Sequence, residues 1–183
     1  MAKTPFKPFP IAPPLAASDF SDKAKEALME LDATMFQWHR KLAKGELTGR
    51  LLAETGLDLE PALFHGLMAV MRITHGVGRD QRQEPTVGLL AEEMSIDPSR
   101  ASRIASDLIG RGYIERAAAQ DDGRKSVLLL TKKGRAAFDT IRDLRWAHMV
   151  DMFSDWSEAD IERFSDLMGR YVVGVLGVRQ EEA

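Results

Sequence analysis

At 183 residues, 44% hydrophobic and 29% charged, the chain can bury the core of one domain or two small ones. No apolar run approaches the ~18 residues of a helical membrane span, and the lysine-bearing, proline-broken N-terminus lacks the apolar stretch of a secretory signal, so a cytoplasmic protein is expected. The absence of cysteine excludes disulfides, thiolate zinc sites, iron–sulfur clusters and cysteine redox switches, while a formal net charge of -3 argues at first against a nucleic-acid partner.

Five of the eight prolines (Pro5, Pro8, Pro10, Pro13, Pro14) fall in the first fourteen residues, which predicts an extended, non-helical arm over 1–19, either disordered or laid across a partner. From Ser21, apolar residues at spacings of three and four (Ala24, Leu28, Leu31, Met35, Trp38, Leu42) predict one long amphipathic helix within a 20–58 segment. A second helical run covers Pro61 to Ile73. It is followed by a polar loop from His75 to Glu84, whose Gly76-Val77-Gly78 is too short for a nucleotide fingerprint. Thr86 is placed to cap a short helix ending near Met94, and Asp97-Pro98 combines an N-cap carboxylate with proline at the first helical position. That next helix should stop at Gly112. Two short helices joined by Ser95-Ile96-Asp97 make a helix-turn-helix.

Beyond Gly112 the pattern shortens to two β segments, Tyr113 to Arg116 and Ser126 to Leu130, joined by a stretch containing Asp121-Asp122-Gly123: a hairpin, or wing. Thr131 is placed to cap a long helix through about Phe153, and Ser157 with Asp160 opens a last helix carrying Ile161, Phe164, Leu167, Met168, Tyr171 and Val175. The fold class is mainly α with a small β-hairpin wing.

The average charge hides a split. From Ser99 to Arg135 there are nine basic residues against four acidic ones, a net of +5 that leaves -8 for the rest of the chain. Such asymmetry fits a footprint for phosphate or a salt-bridged, solvated face. On a helix starting at Pro98, Ala101, Ile104, Ala105 and Leu108 form one apolar stripe, and Ser99, Arg100, Ser102, Arg103 and Ser106 lie away from it. Small hydroxylated residues permit close approach to a duplex, and arginine can bond guanine bidentately or clamp phosphate. Arg100 and Arg103 are therefore the candidates for base readout, and Ser99 and Ser102 for phosphate positioning. Arg124 with Lys125 beside it near the hairpin tip could enter a minor groove, with Asp122 holding the guanidinium in place. Lys132, Lys133 and Arg135 are phosphate candidates at the start of the following helix, or serve only solubility.

The stretch from Thr86 to Arg135 resembles the winged helix-turn-helix of the MarR family. The residues that carry the likeness are Leu90 to Met94 (LAEEM), the Ser-x-x-Ser-Arg of Ser99, Ser102 and Arg103, and the run from Leu108 to Arg116 (L-x-x-x-G-Y-I-E-R). To these are added Asp122-x-Arg124 and the Leu-Thr-x-x-Gly of Leu130 to Gly134. The resemblance implies a homodimer whose terminal helices interleave, with 20–58 and 136–183 as dimerisation segments around a 59–135 winged domain. It implies a sequence-specific double-stranded DNA-binding regulator, a repressor, on a near-palindromic operator. A protein-interaction module that does not bind DNA is the alternative.

No catalytic constellation survives inspection of spacing: the four histidines lie on separate segments, and there is no H-E-x-x-H and no G-x-S-x-G. An enzyme is not expected, nor a cofactor, nor a resident metal; a sensor metal bound by His39, His65, His75 or His148 with a carboxylate is the minor alternative. The pairs Glu92-Glu93 and Asp121-Asp122 read as solvent-facing charges. In the family, effectors often bind where dimerisation helices meet the winged domain, which makes Trp38, His39, His65, Met68, Arg72 and Trp146 candidates for a pocket taking a small aromatic or anionic ligand. Core packing is the commoner role of Met and Trp at helical spacing.

Overall fold

The computed structural model describes residues 9–119 and 126–177. Its elements in chain order are α1 (Pro13–Ala16), α2 (Asp22–Ala43), α3 (Glu46–Thr55), α4 (Pro61–His75), α5 (Val87–Met94), α6 (Pro98–Gly110), β1 (Ile114–Ala118), β2 (Ser126–Leu130), α7 (Lys132–Met152) and α8 (Glu158–Leu176). The chain divides into two units, Met1–Phe138 and Asp139–Ala183. Among the described residues no helix is long and apolar enough to cross a membrane.

The core of the first unit is built on α4, which buries Leu63, Phe64, Leu67, Ala69, Val70, Met71 and Ile73. An apolar surface covering so much of a fifteen-residue helix must be enclosed by several neighbours, and α5, α6, β2 and α3 all pack on it. Gly66 sets the closest of these approaches: a β-carbon there would lie 2.4 Å from Ile104 Cγ2 and 3.3 Å from Leu108 Cδ1, so its hydrogen is what lets α6 reach α4. The hairpin is antiparallel, with Ile114 opposite Leu130 and Arg116 opposite Leu128. In β2 the consecutive residues Val127 and Leu128 are both buried, because the chain around Pro85 flanks that strand and Pro85 O accepts a hydrogen bond from Leu128 N at 2.7 Å.

The N-terminal third departs from expectation in two places. The arm is not wholly extended, since Pro13 and Pro14 occupy the first turn of α1, where a missing N–H forfeits no hydrogen bond. Its described part lies along α2 of the same chain: Phe9 meets Phe36 edge-on at 5.4 Å, and Lys25 Nζ donates to Ala16 O at 3.0 Å. The helix expected from Ser21 onward is two helices. Gly45, at φ 68°, takes the left-handed conformation that ends α2 and starts α3, and Gly56, at φ 64°, closes α3 in the same way.

The second unit consists of the rest of α7 and all of α8. Ser157 caps α8 by accepting from Asp160 N at 3.1 Å, and its own hydroxyl donates to Asp160 Oδ2 at 2.7 Å. Phe153, Trp156 and Phe164 form an aromatic cluster at the α7–α8 turn, with centroids 4.8 to 6.0 Å apart. No residue of α8 is buried, although the helix carries Ile161, Phe164, Leu167, Met168, Tyr171, Val172, Val175 and Leu176.

Candidate nucleic-acid interface

The helix-turn-helix is defined by its caps. Thr86 Oγ1 accepts from Leu89 N at 3.1 Å to start α5, and Ser95, at φ 52°, ends it in the left-handed conformation. Two residues later Asp97 Oδ1 accepts from Arg100 N at 2.9 Å to start α6, with Pro98 at its first position. The same oxygen accepts the Ser99 hydroxyl. These bonds to the ionised form, that from Ser99 first and that from Arg100 N next, hold the Asp97 carboxyl below its usual range.

From these caps the faces of α6 follow. Ala101, Ile104, Ala105 and Leu108 are buried, whereas Ser99, Arg100, Arg103 and Ser106 are exposed and Ser102 is half-buried. Among the described residues neither Arg100 nor Arg103 has an ion-pair partner, so two guanidiniums stand free on a face otherwise made of hydroxyls. By contrast Arg111, just past the end of α6, is engaged with Asp58 Oδ2 at 3.2 Å and Glu60 Oε1 at 3.8 Å.

The basic residues after the wing separate into two kinds. Lys133 donates to Arg111 O at 2.8 Å and stands 4.3 Å over the Tyr113 ring, and Arg135 donates to Leu130 O, so both help to close the corner between α6, the hairpin and α7. Lys132 is exposed and, among the described residues, makes no hydrogen bond or ion pair. Thr131 organises that corner. Its hydroxyl donates to Gly112 O at 2.7 Å, it accepts from Gly134 N at 3.0 Å, and its own N–H donates to Tyr113 O at 3.1 Å. Arg124, Lys125 and Asp122 lie outside the described residues. Arg116, counted in the basic segment but given no role from sequence, is exposed on β1.

The six candidates for an effector pocket lie on α2, α4 and α7. His65, Met68 and Arg72 share one face of α4, at spacings of three and four. Trp38 and His39 are exposed on α2, and among the described residues no hydrogen bond, ion pair or ring contact joins them to that face. Trp146 is exposed in the second unit. Arg72 Nε donates to Glu93 Oε1 at 2.6 Å, so its guanidinium already has an anion. Glu93 itself corrects the expectation of a solvent-facing pair. Glu92 is exposed, but the Glu93 side chain retains only 16% of its exposure because α5 turns it toward Arg72 and Arg79. Sequence spacing placed the two carboxylates in different directions without saying which one faced inward. No group of three or more His, Asp or Glu suited to a metal ion occurs among the described residues.

Residues 69–125 match the MarR family model, a span running from α4 through the helix-turn-helix into the wing. Over 81 residues the chain is 32% identical to the uncharacterized HTH-type transcriptional regulator YxaD of Bacillus subtilis (strain 168). The matched part is 44% of this chain and 57% of that relative's length. Among solved structures, YusO from Bacillus subtilis is similar with a TM-score of 0.59 at 20% identity, covering 84% of this chain and 98% of that one. A MarR family protein from Bacillus stearothermophilus is similar with a TM-score of 0.62 at 14% identity, covering 86% and 99%. At such identities these structures speak to the fold, which is winged-helix throughout. The chain thus shares the winged-helix fold of these structures, and its residues 69–125 are similar to the MarR family.

Proposed function

We propose that the chain is a transcriptional regulator that binds double-stranded DNA sequence-specifically, as a repressor acting through a homodimer. The observation that carries this is the outer face of α6, where Arg100 and Arg103 stand exposed and without ion-pair partners among the described residues, flanked by Ser99, Ser102 and Ser106. Such a helix can enter the major groove, its arginines reading base edges and its hydroxyls meeting phosphates. Asp97 occupies the Ser99 hydroxyl hydrogen, which leaves the oxygen lone pairs and not the proton outermost, so the phosphate role falls more heavily on Ser102 and Ser106. Lys132, at the first position of α7, adds an exposed cation where backbone N–H groups already favour an anion. Arg124 and Lys125, supported by Asp122, are assigned to the minor groove from the sequence.

The dimer is supported by the apolar residues that each unit leaves exposed, on α2 (Leu31, Trp38, Leu42) and on α8 (Ile161, Leu167, Tyr171, Val175). Two-fold symmetry would place two α6 helices about one helical turn apart, roughly 34–36 Å, on a near-palindromic operator. Release by a small aromatic or anionic effector is proposed to involve Trp38, His39, His65, Met68 and Trp146, with Arg72 available only to a ligand that displaces Glu93.

The test is protection of the DNA upstream of the protein's own coding sequence across a salt series. A palindromic footprint that weakens with salt is expected. Arg103→Ala should cost about 1–3 kcal/mol and relax preference at one base pair. Absence of binding at low salt would favour a protein-interaction role for the winged domain.

A further inference from the structure

Glu93 sits at the centre of a network that no DNA contact explains. Its Oε1 accepts from Arg72 Nε of α4 at 2.6 Å, and its Oε2 accepts from Arg79 Nη2 at 2.8 Å and from Arg79 Nε at 3.3 Å. Arg79 belongs to the connection between α4 and α5, where it also donates to Gln83 Oε1 at 3.2 Å and reaches Glu92 Oε1 at 3.7 Å. That connection is fastened at two further points, by Gln83 N donating to Ile73 O at 3.3 Å and by Pro85 O accepting from Leu128 N of β2 at 2.7 Å. One carboxylate thus links the scaffold helix α4 to the first helix of the helix-turn-helix and, through the connection, to the wing strand.

The geometry points to Glu93 as a positioning residue for operator recognition, holding α5 and the 76–86 connection in a single orientation on α4 so that α6 and the wing meet DNA in register. The inference rests on the DNA-binding function proposed above. The physical case is that α5 is only eight residues long and buries Leu90 and Ala91, and two non-directional apolar anchors resist separation better than they resist sliding or rotation. A carboxylate shared between two guanidiniums supplies the missing direction, because each bond restricts both distance and angle. Without that carboxylate Arg72 and Arg79 would face each other as like charges beside the helix-turn-helix. Loss of orientation weakens binding that depends on register and spares binding that depends only on charge.

The experiment compares Glu93→Gln and Arg79→Lys with wild type in the full chain, measuring affinity for the operator and for a random duplex across a salt series. Far-UV circular dichroism and melting identify the folded variants, and Arg79→Lys keeps the charge while losing the fork should Glu93→Gln fold poorly. The expected result is a loss of about tenfold on the operator with random-duplex affinity unchanged or raised, and an operator salt slope equal to wild type because no phosphate contact has been removed. Unchanged operator affinity in the folded variants, or an equal loss on both duplexes, would overturn the inference while leaving the DNA function intact. A wild-type protein that binds neither duplex at low salt would overturn that function and the inference with it, so the wild-type series tells the two failures apart.

Discussion

Gly134 has no room for a β-carbon. One built there would lie 2.0 Å from Tyr113 O, a backbone atom already fixed by Thr131 N, and 3.2 Å from Leu130 Cδ2. The glycine in Leu-Thr-x-x-Gly is therefore a steric requirement of the corner, and Thr131 beside it satisfies the backbone groups that the close approach would strand. Gly134→Ala should destabilise the protein by at least about 2 kcal/mol in denaturant unfolding, whereas Gly110→Ala, in open space at the end of α6, should be neutral or slightly stabilising. Glu93 yields a prediction in pH. Burial pushes its carboxyl up, but hydrogen bonds from Arg72 and Arg79, with their charges, outweigh that and leave it below the usual carboxylate range. A depressed folded pKa means that the associated stability is fully present above the unfolded value of about 4.3 and is lost as pH falls through the folded value. The melting temperature of wild type should therefore exceed that of Glu93→Gln near pH 6, and the gap should close on acidification below about pH 4. A gap independent of pH would show that the charge of Glu93 contributes nothing.

Helix boundaries around the candidate interface follow from local chemistry, which is why they were legible in sequence. Thr86, Asp97-Pro98, Thr131 and Ser157 each satisfy N–H groups that a helix start leaves unpaired, and each stands where the helix begins. Asp97→Ala should remove the α6 cap and lower stability by about 1 kcal/mol, measured by urea unfolding, while also releasing the Ser99 hydroxyl. Asp97→Asn, which retains an acceptor oxygen, should recover most of that loss. Where the sequence reading failed, a weaker signal had been overruled by a stronger one. The apolar periodicity from Ser21 onward concealed the helix end at Gly45, although glycine after Ala43-Lys44 is the usual means of reaching a left-handed cap. The proline density of the arm concealed α1, although proline is excluded from helix interiors and tolerated in first turns.

At the scale of the whole molecule, the second unit taken by itself leaves a large apolar surface uncovered. Val150, Val175 and Leu176 each retain more than 65% of their exposure, and α8 presents eight large apolar side chains with none buried. A surface of that extent is costly in water and is consistent with association. Light scattering should give a mass twice that of one chain, and Leu167→Glu with Tyr171→Glu should shift it to one chain without abolishing the helical circular dichroism signal of the winged unit. A single-chain mass for the wild type at micromolar concentration would overturn the dimer and the half-site spacing built on it. The sequence by itself determined which segments from Pro61 onward are helical, where the caps of the helix-turn-helix lie, which face of α6 is apolar and which face carries Arg100 and Arg103. These depend on residues within a turn or two of one another, whose periodicity and capping chemistry act locally. Only the tertiary structure decided that Glu93 faces inward to two arginines while Glu92 faces out, that Lys133 and Arg135 close a corner while Lys132 stays exposed, and that Gly66 and Gly134 are points of close approach. Apart from the contacts of Gly134 and Arg135 with the nearby Leu130, these depend on groups 14 to 42 positions away in the chain, brought together by packing around α4 and the wing, and no local pattern specifies which side of a polar pair that packing will cover.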